Sequence, residues 1–94
     1  MTIETTLQVT LGEGSYTLLV KMIRIESVNY FFIRDKPGER ELLSGKTLEL
    51  TYMNSFSLTE FGGVVKSAGV PENIISAVQE AIMKSRQTWF IEKE

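Results

Sequence analysis

The sequence predicts an α+β domain, a four-stranded antiparallel meander followed by two C-terminal helices on one face. Three observations predict it. The first half alternates apolar and polar residues with period two, which is the pattern of half-buried strands. Short Gly, Asn and Pro signals separate the runs, so neighbouring strands pair antiparallel. After residue 56 the spacing widens to that of helices.

The elements follow in order. "TIETTLQVTLG" puts Ile3, Leu7, Val9 and Leu11 on one face and Glu4, Thr6, Gln8 and Thr10 on the other. "GEG" at 12–14 makes the first turn, because glycine reaches positive φ at no steric cost. "SYTLLVKMIRIES" is the second strand, but its alternation slips. Leu18 and Val20 share one parity and Ile23 and Ile25 the other. A β-bulge near Lys21–Met22 would bring all four to the core side, leaving Leu19, Lys21, Arg24 and Glu26 facing away. Ser27 to Asn29 reads as a tight turn with Asn29 in the left-handed region. The third strand, "VNYFFIR", sets Tyr30 and Phe32 on one face and Phe31 and Ile33 on the other. Pro37–Gly38 suits the centre of a type II turn in a long charged connection, residues 35–46. "TLELTYM" is the fourth strand, with Leu48, Leu50 and Tyr52 inward.

A first helix is expected from Ser57 to about Gly69. Ser57 and Glu60 form a capping box, Phe56 and Phe61 a hydrophobic staple, and Gly69 a C-terminal stop. Gly62 and Gly63 fit it poorly, each costing about 1 kcal/mol against alanine. A second helix is expected from Pro71, with Ile75, Val78, Ile82 and Trp89 on one stripe, widened by Ile74 and Ala81.

Composition bounds the function. The chain has 94 residues, 43% of them hydrophobic, which fits a single domain spanning residues 1–94. Ten basic and twelve acidic residues give a net charge of −2, so no general attraction to polyanions is expected. Histidine and cysteine are absent. That removes disulfides, thiolate nucleophiles, imidazole ligands and the usual neutral-pH base. No metal site, no cofactor, no membrane span and no enzymatic activity are expected, and the N-terminus lacks a signal-peptide pattern. The expected location is cytoplasmic.

The sequence offers three site readings. The first is a stacking platform on the helix-free face, with Tyr30 and Phe32 as flat rings beside Lys21, Arg24 and Arg34. Rings at strand spacing more often pack against core or a second copy. The second is a helix-turn-helix around Gly69, with Ser76, Gln79 and Glu80 reading bases. Glu72 and Glu80 make that a poor surface for phosphates. The third is carboxylate chemistry by Glu39, Glu41 and Glu49, for which a solvated charged loop is the simpler account.

"FFIRD", "GERELLSGKTLEL" and "SLTEF" resemble the positive cofactor four family, relatives of the Whirly-type single-stranded-DNA binders. Ile33–Arg34 matches the family's third-strand pair. Glu41–Leu42 and Gly45–Lys46 match its charged loop, and Ser57, Leu58, Thr59 and Phe61 match its helix start. The chain departs from the family in its acidic charge, in the inserted "TYMNSF", in its second helix and in lacking a basic N-terminal stretch. The resemblance implies a dimer that binds single-stranded nucleic acid. Lys21, Arg24, Arg34, Lys36, Arg40 and Lys46 would touch backbone, with Tyr30 or Phe32 stacking. The competing expectation is a homo-oligomeric assembly module with no nucleic-acid role.

Overall fold

The computed structural model describes residues 2–53, 61–66 and 69–89. Over these residues the chain forms strands β1 (Thr2–Leu11), β2 (Gly14–Ile25), β3 (Val28–Asp35), β4 (Thr47–Tyr52) and β5 (Phe61–Lys66), then helix α1 (Glu72–Lys84) and a single turn, α2 (Arg86–Trp89). The strands make one antiparallel sheet in chain order. The α+β class and the antiparallel meander are therefore as expected.

The hairpin turns are short because the right residues sit in them. Leu11 pairs with Gly14 across Gly12–Glu13, and Gly12 takes φ +61°. Ile25 pairs with Val28, so the second loop is Glu26–Ser27. Its first residue, Glu26, carries the positive φ (58°) that matches hairpin twist. The turn expected over Ser27–Asn29 thus lies earlier, at Glu26–Ser27, with the positive φ on Glu26 and not on Asn29. Asn29 lies inside β3 and is fully buried.

The expected bulge is absent. β1–β2 and β2–β3 pair without a break from end to end. Parity is therefore kept along β2: Leu18, Val20 and Met22 are buried, while Ile23 and Ile25 go to the opposite face. The same parity turns Arg24 inward.

The expected helix before Gly69 is also corrected. Residues 61–66 form β5, paired antiparallel to β4 through two register shifts. Gly63 has φ +126°, which no helix allows. Gly62–Gly63 disfavour helix and the β-branched Val64–Val65 favour strand, so the local propensities outweighed the capping signals. The capping-box residues Ser57 and Glu60 lie outside the described residues. With a strand at 61–66, no helix-turn-helix is built around Gly69.

The second expected helix exists as α1, entered at Pro71 and closed at Ser85, whose N–H donates to the Ala81 and Ile82 carbonyls. Val78, Ala81 and Ile82 are its buried residues, and it packs against β1. The helical path breaks at Ser85, and α2 brings Trp89 back over the sheet. Trp89 is fully buried, 5.1 Å from Phe31 in an edge-to-face pair, and its Nε1–H donates to the Ile82 carbonyl at 3.1 Å. Phe31 meets Tyr52 in a second edge-to-face pair at 5.5 Å. The core thus lies between one sheet face and the α1–α2 layer.

The connection from β3 to β4 is not a simple solvated loop. Lys36–Glu39 forms the expected turn around Pro37–Gly38, with the Glu39 N–H donating to the Lys36 carbonyl and Gly38 at φ +85°. Beyond it, Leu42 and Leu43 are buried in the core. Asp35 makes this possible. Its Oδ1 accepts the Leu42 and Leu43 N–H groups at 2.8 and 2.9 Å, and its Oδ2 accepts the Gly45 N–H at 2.9 Å. Backbone groups drawn inward with the two leucines therefore keep partners.

Candidate interaction face of the sheet

The alternation that buries one side of each strand exposes the other. Cross-strand register lines up in rows the face opposite α1 and α2, which is helix-free among the described residues. Glu4, Lys21, Phe32 and Glu49 form one row, and Thr6, Leu19, Arg34 and Thr47 the next. Thr2, Ile23, Tyr30 and Thr51 form a third, and Ile25 beside Val28 ends the face at the hairpin tip. Ile25 is 56% exposed and Phe32 36%, large values for such residues. Between the first two rows the twisted sheet is concave. A groove of about 560 Å³ opens there, floored by Leu19 and Phe32 and rimmed by Glu4, Lys21, Arg34 and Glu49.

Among the described side chains the charge of this groove is balanced. Lys21 and Arg34 supply two cations, and Glu4 and Glu49 two carboxylates. Lys21 Nζ lies 4.0 Å from Glu4 Oε2, and both side chains are more than half exposed. That contact is worth little in water and leaves Lys21 free to rearrange.

Of the eight residues expected to bind nucleic acid, Lys21, Tyr30, Phe32 and Arg34 share this face. Arg24 does not. It lies on the core side, where its Nε–H donates to Asn29 Oδ1 at 2.7 Å and its Nη2–H to the Trp89 carbonyl at 2.6 Å. Burial lowers its pKa from the usual arginine value. Its role is to tie the C-terminal turn to the end of the sheet. The cause of the error is the bulge that β2 lacks.

The three loop cations are dispersed. Lys36 pairs with Glu39 at 3.9 Å within its turn. Arg40 stacks over the Tyr16 ring, 4.7 Å from its centroid, with Nη2 3.3 Å from the hydroxyl. Tyr16 pairs with Val9 in register and so points to the core side of the sheet. Lys46 is exposed, with its amine beside Gly69 just ahead of α1. None of the three lines the groove.

Sequence reasoning missed Glu4 and Glu49 as neighbours of the rings, and Ile23 and Ile25 as part of the exposed face. Unbroken parity through β2 would have found the two isoleucines. Among the described residues no group of three or more acidic side chains is placed to hold a metal ion, and no helix is long and apolar enough to cross a membrane. Comparison with family models, curated proteins and solved structures gave no match.

Proposed function

We propose that the chain is a non-enzymatic, homo-oligomeric assembly module in which the helix-free face of the sheet docks on a second copy. One observation carries the reading: Leu19, Ile23, Ile25, Tyr30 and Phe32 stand together on a face that α1 and α2 do not cover. An apolar area of this kind on a small domain is characteristic of an interaction surface. The flanking charges choose the partner. A polyanion needs a surplus of cations, since phosphate contacts dominate its affinity. Here Glu4 and Glu49 offset Lys21 and Arg34. A surface with both signs around an apolar centre can meet a copy of itself, plus opposite minus, without stranding a charge.

Single-stranded nucleic acid is the second reading. It is favoured by the placement of Tyr30 and Phe32 beside Lys21 and Arg34, a stacking pair between two cations. Two measurements separate the readings. The assembly reading expects a particle heavier than the 10.6 kDa chain by light scattering, reduced by Phe32→Glu, and no oligothymidine binding at low salt. Binding that falls steeply with salt and is weakened by Arg34→Ala would replace it with the nucleic-acid reading.

A further inference from the structure

We infer that β1 is a second self-association surface, pairing antiparallel with β1 of another copy about a twofold axis at Thr6, so that two sheets become one. This surface is the outward backbone edge of β1, distinct from the ring-bearing centre of the helix-free face, although the Thr2, Glu4 and Thr6 side chains border both.

The first observation is the contrast between the two sheet edges. β5 is short, contains Gly62–Gly63 and is joined to β4 through two register shifts. Bulges and glycines of this kind disrupt an edge and protect it from pairing. β1 has none of these devices. It runs ten residues, Thr2–Leu11, with no proline, glycine or lysine, and its register with β2 is continuous. Glu4 is its one charged residue. Among the described residues no strand lies on its outer side. An edge this long and regular is a template for another strand.

The second observation is which backbone groups face outward. A two-residue loop joins Leu11 to Gly14, and the pair closing such a loop exchanges hydrogen bonds. Alternation then turns the N–H and C=O groups of Leu11, Val9, Leu7, Thr5 and Ile3 toward β2. Those of Thr10, Gln8, Thr6, Glu4 and Thr2 point away from the sheet.

The third is that the sequence of β1 is complementary to itself in the register those groups allow. Centred on Thr6, the strand sets Thr2 against Thr10 of a second copy, Glu4 against Gln8, and Thr6 against Thr6, all through outward-facing groups. Ile3 falls against Val9 and Thr5 against Leu7 between them. Threonine pairs and β-branched pairs are favourable cross-strand neighbours, and no carboxylate meets a carboxylate. Ile3, half-buried in one copy, gains a neighbour. The flank of α1 carrying Ala77, Glu80 and Lys84 lies beside the Gln8–Thr10 half of β1, and the twofold carries the second α1 to the opposite half.

Amide hydrogen exchange on the full chain tests this at residue resolution. The expected result is protection of the Glu4, Thr6 and Gln8 amides that grows with protein concentration, by about tenfold or more over an unpaired edge. Thr6→Pro removes an outward N–H, which an edge strand tolerates, and should abolish that protection and lower the particle mass. Gln8→Glu should weaken pairing by opposing Glu4, and Gln8→Lys should strengthen it, which keeps the test alive if the proline variant fails to fold. Phe32→Glu should leave the β1 protection intact, which separates this surface from the helix-free face. Rapid exchange at Glu4, Thr6 and Gln8 in concentrated protein, or masses indifferent to all three β1 variants, would overturn the inference.

Discussion

Replacing Asp35 by alanine removes the carboxylate that binds three backbone N–H groups of the β3–β4 connection, those of Leu42, Leu43 and Gly45. The Gly45 bond is exposed, and water can replace it at little cost. The Leu42 and Leu43 bonds are partly buried and lead into side chains only 6% and 2% exposed. Leaving a partly buried donor unpaired costs about 1–2 kcal/mol, so the pair accounts for about 2–4 kcal/mol. Asp35→Asn should cost less, about 1–2 kcal/mol, because one oxygen survives while the new amide faces the Gly45 N–H donor to donor. Urea denaturation followed by Trp89 fluorescence gives both numbers. A midpoint for Asp35→Ala within about 0.5 kcal/mol of the parent chain would refute the assignment of Asp35 as the clamp.

Other outcomes follow from the core. Burial pushes the Tyr52 phenol up to about 12 from its ordinary value near 10. A raised acid pKa means the folded state favours the neutral phenol. That stability is fully present below pH 10 and is lost as pH rises toward 12, amounting to about 2 kcal/mol, and Tyr52→Phe should remove this alkaline slope. An unchanged slope in that variant would contradict the origin given. Trp89→Phe loses the bond to the Ile82 carbonyl and part of the contact with Phe31, and should cost about 1–3 kcal/mol in the same denaturation assay followed by circular dichroism. Arg24→Ala should destabilise by about 1–3 kcal/mol through Asn29 and Trp89, yet leave particle mass unchanged, because Arg24 is not on the open face. A change in mass without a change in stability would mean that Arg24 acts at an interface.

Much of this fold is legible from residue order, and the failures have identifiable causes. Alternation in β1, β3 and β4 assigns faces correctly, because period two is a geometric property of the strand. Gly12 and Pro37–Gly38 mark their turns because positive φ and a fixed proline φ are local demands. The β2 faces are misassigned beyond Lys21 because Ile23 and Ile25 are expected inward with Leu18 and Val20. Ile23 and Ile25 belong to a second apolar face, which the unbroken register of β2 assigns them without a bulge. At β5 the capping signals point to a helix, but the Gly62-Gly63-Val64-Val65 run suits an irregular strand. Asp35 was unreadable for a different reason. Its partners are backbone N–H groups seven to ten residues away, and no side-chain pattern announces them. At the candidate site, parity located Lys21, Tyr30, Phe32 and Arg34. The balancing carboxylates Glu4 and Glu49 come from other strands, so only the register reveals them.

A second copy is expected to cover the face bearing Leu19, Ile23, Ile25, Tyr30 and Phe32. Light scattering on the parent chain and on Phe32→Glu, at equal concentration and with folding checked by circular dichroism, tests it most directly. The parent is expected to be an oligomer and the variant to have a lower mass. A parent chain that stays at 10.6 kDa in concentrated solution, or an oligomer whose mass Phe32→Glu does not alter, would contradict it.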